Sequence, residues 1–408
     1  MKPQLKRADR DARKTPLDAL TGGPNRKKNL IILGLIVLFL IFFGAARLIN
    51  LYSHINTGTR TQSNPIPKEQ KVFNILAMGY GGPGHDGAYL TDTMMFTSID
   101  TEHKRVTVVS IPRDIWVEIP TEGESEPFMR KINSVYQTGL FKKNYPAVPT
   151  KYAGDQGASE LIKEIVGGIT GQPLDAYIAI DFDGFKKAVD TLGGVEVDVE
   201  RSFTDVEYPL DGHESDLCGI EATDSAAFDQ KELIATESPV LAYPCRYETL
   251  NFSAGSQTMD GATALKFVRS RHSPEDGGDF NRARRQQLFL ESVRDKVLSI
   301  GFLPKISPLI RDLEDSVRTD ISPELMQKLL KESPQIKNYS VTQIVLTTDN
   351  YLKHDISSDG QYILVSNAPQ GDWTVFQNDL KVYFSGISPT PRSLITPTLK
   401  VVRKQPIQ

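Results

Sequence analysis

"YIAIDFDGFKKAVDTLGGVEVDV", residues 177–199, places an apolar run, a segment of helical apolar spacing and an alternating apolar/charged run in direct succession. The outer pieces, "YIAID" and "VEVDV", predict strands, and "DGFKKAVDTLGG" predicts a helix with Asp183 as N-cap and a glycine stop. Upstream, "GASELIKEIVGGIT" (157–170) has the same helical spacing. Further back, "FNILAMG" (73–79), "TMMFTSID" (93–100) and "RVTVVSIP" (105–112) predict a meander of buried strands. Helices interleaved with apolar strands imply an α/β layered domain, a central mixed β-sheet flanked by helices.

Downstream, "MDGATALKFVRSRH" (259–272) predicts a helix followed by an extended stretch. Residues 281–300 carry Phe289, Val293 and Val297 along one helical face. A helix is expected over 322–333 and strands over 341–346 and 361–365. Between these elements, residues 202–254 are rich in Asp, Ser and Thr and predict a long surface excursion. It holds Cys218 and Cys245, which could pair in an oxidising compartment or stay as two thiols.

The remaining chain predicts an exported, tethered protein. Residues 1–28 hold nine Lys/Arg against three Asp, with no apolar period, as in a disordered basic tail. Leu30–Ala46 is uncharged and apolar, which predicts one transmembrane helix over 29–52. It is too long for a signal-peptide core, and no small-residue cleavage site follows. The basic side should remain cytoplasmic, leaving a linker at 53–70, an extracytoplasmic domain at 71–385 and a loose Pro-containing tail at 386–408. Residues 53–408 carry a net charge of about −11. Clustered arginines in that acidic part therefore call for a local explanation.

Five of them occur within 22 residues, in "KFVRSRHSPEDGGDFNRARRQQ" (266–287). Arg282, Arg285 and Gln286 precede Phe289 and Val293 by one and two turns, so they should share the inward face. Charges on an apolar face must be paired or bind something, and a helix N-terminus adds its own anion preference. Read as a strand, "FVRSRH" puts Phe267, Arg269 and Arg271 on one face, and two guanidinium forks side by side suit two phosphoryl groups. Arg113, in "SIPRD" (110–114), should stand just beyond a strand tip, where α/β sheets bind ligands. Asp92 follows a glycine-rich loop at the mouth of the next strand, and a carboxylate beside phosphate-binding arginines suits Mg²⁺. The loop lacks a G-x-x-x-x-G-K-[ST] pattern.

Taken in order, "NILAMG", "LTDTMM", "VTVVSIPRDIWVEIP", "DFDGFKKAVDTLGGVEVDV", "MDGATALKFVRSRH" and "GGDFNRARRQQ" resemble the LytR-CpsA-Psr family of cell-envelope proteins. The resemblance covers about residues 72–300. It implies a membrane-anchored phosphotransferase that moves a glycopolymer from an undecaprenyl (polyprenyl) pyrophosphate carrier to peptidoglycan through a phosphodiester. It also implies a pyrophosphate held among arginines and Mg²⁺, with the prenyl chain in an apolar tunnel. Carried over to this sequence, Arg113, Arg269, Arg271, Asp279 and Arg282 become catalytic residues. The same arginines with Gln286, and the neighbouring Arg285, become substrate-binding residues, and Asp92 a metal ligand. Two positions depart from the pattern. Leu90 stands where the family commonly has arginine, and "GYGGPGHDG" lacks the second metal-binding aspartate, leaving Asp86 or His85 to replace it. Those departures keep open a non-catalytic receptor for lipid pyrophosphate, and a pyrophosphatase that uses water as acceptor. A nucleic-acid role fits poorly, because the basic tail is short and no helix-turn-helix pattern is present.

Overall fold

A computed structural model of the chain describes residues 69–387, except 86, 124–125, 214, 220–238, 300–312, 314, 333–334 and 336–337. The expected tail, transmembrane helix and most of the linker therefore lie outside the described residues, as does the C-terminal tail from 388. Among the described residues no helix is long and apolar enough to cross a membrane.

The central sheet has six strands. The predicted meander forms β1 (Val72–Tyr80), β2 (Thr91–Asp100) and β3 (Arg105–Ser110), joined antiparallel. The β4 (Trp116–Ile119) and β5 (Phe128–Lys131) hairpin and helices α1 (Val135–Leu140) and α2 (Gly154–Thr170) come next. They lead to β6 (Ala176–Asp181), which pairs parallel to β1. Later in the chain, β11 (Val317–Thr319) and β12 (Ser340–Val345) close the two edges, giving the order β11-β6-β1-β2-β3-β12. The sheet is mixed, as the sequence predicts.

Helix α3 (Phe182–Thr191) starts two residues earlier than an Asp183 cap implies. Its N-cap is Asp181, whose carboxylate accepts from the Gly184 amide at 2.8 Å. Asp183 lies inside the first turn and pairs with Lys186 instead. Next, β7 (Val195–Val199) leaves the central sheet and pairs with β10 (Gly255–Met259).

Within the predicted surface excursion, β8 (Phe203–Pro209) and β9 (Tyr247–Phe252) pair antiparallel, and Phe203, Tyr208, Leu250 and Phe252 are buried. Cys218 and Cys245 are joined there in a disulfide. The extended stretch expected at 267–271 is also revised. Helix α4 (Gly261–Arg269) continues through Arg269, so Phe267 faces the core and Arg269 does not share its face.

Helices α5 (Gly278–Ser299), α6 (Pro323–Glu332) and α7 (Thr374–Phe384), with the hairpin β13 (Leu352–Ile356) and β14 (Tyr362–Ser366), complete the fold. On one sheet face Leu76, Met78, Met94, Phe96 and Val109 pack with α1, α2 and α7. A second core joins α3, α4 and α5 to β7–β10 through Val195, Phe203, Phe267 and Phe289. The other sheet face meets that core with small side chains, Ala77 and Gly79, which leave space.

Close approach fixes where α4 sits. The Gly261 amide donates to Asp190 at 2.7 Å, and a Cβ on Gly261 would lie 2.2 Å from the Lys186 carbonyl oxygen. Gly261→Ala must push α4 off α3, at a cost of about 2 kcal/mol. Urea unfolding should show that loss.

Candidate active site

The space between the sheet and the second core is a cavity of about 240 Å³. Its interior is apolar, walled by Ala77, Met95, Ile180, Phe185, Leu265 and Phe289. Asp92, Arg113, Arg269, Arg271, Arg282 and Gln286 line it as well, and they come from the ends of β2, β3, α4 and α5. One end of an occupant can thus meet cations while the remainder stays in hydrocarbon.

Each arginine is held differently. Arg113 donates to Asp92 at 2.7 Å, and its Nε lies 3.7 Å from Asp114 and 4.0 Å from Asp279. That Nε is buried without a hydrogen bond. Burial works against the Arg113 charge, but the carboxylates of Asp92 and Asp279 outweigh it and raise the pKa. Arg282, 7% exposed, bonds Asp279 at 3.0 Å and reaches the Asp92 carbonyl at 3.4 Å. Burial lowers its pKa, Asp279 opposes that, and Arg113 adds to it. Arg269 stacks over Phe182 at 4.1 Å and donates to the Tyr208 hydroxyl at 3.0 Å and Asp211 at 3.4 Å. The Arg271 guanidinium donates no hydrogen bond to, and forms no ion pair with, any described residue, and burial followed by repulsion from Arg113 lowers its pKa. An unpaired, partly buried cation among other cations is a seat for an anion.

Asp279 lies inside the first turn of α5 and bridges Arg282 and Arg113. Burial raises its pKa, but Arg282, Arg113 and Arg271 together hold it below the usual carboxylate range. Gln286 donates to the Thr93 hydroxyl at 2.8 Å and the Val268 carbonyl at 3.2 Å, tying β2 to α4.

Arg285, expected at the substrate, faces away from the cavity. Its guanidinium donates to the carbonyls of Phe267, Ser270 and Asp276 and to the Asp276 carboxylate at 2.7 Å. It lies over the Phe203 ring at 4.7 Å. The residue satisfies carbonyls that the end of α4 leaves open. It is a structural clamp on the segment that carries Arg269 and Arg271.

The sequence reading does not single out Asp205, which organises the same segment from the other side. Its Oδ2 accepts from the Ser270 hydroxyl at 2.6 Å and the Arg271 and His272 amides at 3.0 and 3.1 Å. Its Oδ1 accepts from the Glu207 amide. An acid alternating with Phe203 on a strand was the available signal. Tyr208 and Phe182, which hold Arg269, were concealed as ordinary core aromatics.

Of the two replacement metal ligands, Asp86 lies outside the described residues. His85 packs edge-on against Phe182 and lies 3.5 Å from Asp211, on the Arg269 side. Among the described residues the one tight group of three metal-ligating types is Asp216, Cys218 and Cys245, whose cysteines are bonded to each other.

This combination of arginine-lined mouth and apolar depth agrees with sequence comparison, in which the LytR_cpsA_psr family model matches residues 39–379. The chain belongs to the LytR-CpsA-Psr family. Relatives of this LytR-CpsA-Psr protein include the polyisoprenyl-teichoic acid–peptidoglycan teichoic acid transferase TagU of Oceanobacillus iheyensis. It is 24% identical over 358 residues, spanning 84% of this chain and 91% of that one. The transferase of the same description named TagV, from Bacillus subtilis, is 25% identical over 307 residues, spanning 72% of this chain and 64% of its own length. The solved structure of protein gbs0355 from Streptococcus agalactiae superposes with a TM-score of 0.52 at 18% identity, covering 80% of this chain and 91% of that one, and supports the fold.

Two outcomes follow from the supports. Arg285→Ala strands Asp276 and several carbonyls, and should cost about 3 kcal/mol of stability in urea unfolding. Burial raises the Asp205 pKa, but the Ser270 hydroxyl and the backbone amides outweigh it and hold the pKa below its ordinary value. Its contribution is therefore complete above the unfolded carboxylate pKa of about 3.9 and disappears as pH falls through the lower native value. Hydrogen exchange of the Arg271 and His272 amides should accelerate in that acid window, and Asp205→Asn should remove the pH dependence.

Proposed function

We propose that this protein is a membrane-anchored phosphotransferase that moves a glycopolymer from an undecaprenyl pyrophosphate carrier to peptidoglycan. The observation that carries the reading is Arg271, a guanidinium without a partner among the described residues, close to Arg113 at the edge of an apolar cavity. An amphiphile with an anionic head and a long hydrocarbon tail matches both parts, and the relatives are named for transfer from a polyisoprenyl carrier to peptidoglycan. Anchoring rests on the apolar run 30–46, whose basic flank favours a cytoplasmic N-terminus and an extracytoplasmic domain.

In the reaction, Arg113, Arg269, Arg271 and Arg282 receive the pyrophosphate oxygens and stabilise charge as the lipid phosphate departs. An acceptor hydroxyl attacks the phosphorus that carries the glycan and its proton passes to the departing lipid phosphate, so the glycan phosphate moves to the acceptor as the P–O–P bridge breaks. Positioning and electrostatics supply most of such catalysis. Asp279 keeps Arg282 and Arg113 aligned at the mouth.

Mg²⁺ fits this donor set in a limited way. Asp92 gives Oδ1 to Arg113 and has a second carboxylate oxygen, and Mg²⁺ is commonly held by one or two carboxylates with substrate phosphates. When bound, the ion would neutralise phosphate charge; Asp92 would hold it, and Asp86 is the second candidate.

The full-length protein in detergent, with a polyprenyl-pyrophosphate oligosaccharide, Mg²⁺ and a peptidoglycan fragment, should yield a phosphodiester conjugate and lipid phosphate by mass spectrometry. Lipid phosphate without conjugate would indicate a pyrophosphatase, and binding without turnover a receptor. Arg271→Ala should weaken lipid-pyrophosphate binding roughly ten- to hundredfold. Because it removes a repelled, unpaired charge, its urea unfolding midpoint should equal or exceed that of the wild type. Unchanged donor affinity would overturn the role assigned to this arginine.

A further inference from the structure

The β13–β14 hairpin carries a surface that the donor site does not use. In its register, Leu352, His354 and Ile356 share a face with Ser366, Leu364 and Tyr362. At the root of that face, Leu352 and Leu364 are buried in the main core with Ile115. Toward the tip the same face emerges uncovered. Ile356 is 62% exposed and Tyr362 45% exposed, side by side across the strands. The Tyr362 hydroxyl and His354 Nδ1 are 2.7 Å apart.

The hairpin is attached beside the arginine mouth. Leu364 bridges Ile115 in parallel, and its amide donates to the Asp114 carbonyl at 2.9 Å. Tyr362, two residues before Leu364, begins β14 beside the turn that holds Arg113 and Asp114. The electrostatics agree with this placement. After burial, the carboxylates of Asp114 and Asp279 push the Tyr362 phenol above its ordinary value.

We propose that Tyr362, Ile356 and His354 form the ledge on which a sugar ring of the acceptor glycan docks, presenting its hydroxyl to the mouth at Arg113. The inference rests on the transferase reading above and adds a location for the second substrate. A phenol ring beside an aliphatic side chain offers an apolar plane for the C–H face of a pyranose, while the phenol and imidazole offer hydrogen bonds at its edge. Asp114 and Asp279 disfavour an anionic occupant, which separates this ledge from the pyrophosphate seat. Transfer needs the attacking oxygen brought close to phosphorus and aligned, so an acceptor platform next to the mouth has a mechanical purpose. Around Arg269 the space is taken by Phe182, Tyr208 and Asp211, which hold its guanidinium.

The test uses the full-length protein in detergent and a β-1,4-linked N-acetylglucosamine tetrasaccharide, followed by saturation-transfer NMR. The wild type should saturate the sugar-ring protons. Tyr362→Ala and Ile356→Ser should weaken binding at least fivefold, Tyr362→Phe should stay within about twofold, and Lys353→Ala on the other hairpin face should match the wild type. In the transfer assay Tyr362→Ala should raise the acceptor KM by tenfold or more, with lipid-pyrophosphate Kd unchanged. Absence of saturation in the wild type, equal saturation in Tyr362→Ala, or a matching rise in donor Kd would each overturn the ledge. Donor binding by Arg271→Ala examines the transferase reading separately, so the two failures are distinguishable.

Discussion

Three guanidinium groups, those of Arg113, Arg271 and Arg282, are kept largely out of water close enough to repel one another, and the local architecture follows from that constraint. Asp92 and Asp279 are arranged between them, so that Arg113 keeps its charge easily while Arg282 and Arg271 hold theirs at greater cost. Buried charge persists only when its surroundings are fixed. The fixing is done by groups outside the cavity. Asp205 gathers the amides of residues 271 and 272, and Arg285 binds the carbonyls at the end of α4. The strain of a like-charged cluster is held by the fold, and an anion seated there would relieve it.

That division explains why two arginines three residues apart in one helix have different duties. Helical spacing correctly turns Arg282 and Arg285 inward, since both are buried. Periodicity specifies a face, however, and says nothing of what the face meets. Arg282 meets a cavity, whereas Arg285 meets the open carbonyls of a neighbouring helix end. The likeness between Arg269 and Arg271 misleads in the other direction. They are two residues apart and both line the cavity, yet one ends a helix and the other lies in the loop beyond it, so strand alternation did not bring them together.

The central strands and the helices at 157–170 and 183–194 were legible because their apolar residues follow a single period and glycines mark their ends. The hairpin partner "LKHDI" (352–356) was not, since only Leu352 of its residues is buried. Helix α7, "TVFQNDLKVYF", mixes β-branched and aromatic residues that favour strands, and packing of Phe376 and Leu380 against the core decides it. Composition concealed β8 and β9, because the Asp, Ser and Thr of residues 202–254 outnumber the four buried apolar side chains that anchor them. The cavity left a trace in "LAMG", where large Leu76 and Met78 alternate with small Ala77 and Gly79. A strand with one full face and one bare face reserves volume on the bare side.

Placement of the mouth follows from strand direction. β1, β3 and β6 run the same way, and the chain leaving β3 and β6 supplies Arg113 and Asp181, while β2 begins at that end with Asp92. Polar groups at strand ends can meet a charged head because the backbone there is no longer committed to the sheet. Side chains deeper along β1 and β6 face the second core and are apolar, so an amphiphile can enter in one orientation, head at the mouth and tail inward. On the Arg269 side Phe182, Tyr208 and Asp211 already hold the guanidinium, whereas the β13–β14 hairpin is bonded to the Asp114 carbonyl, and there the proposed acceptor ledge would stand.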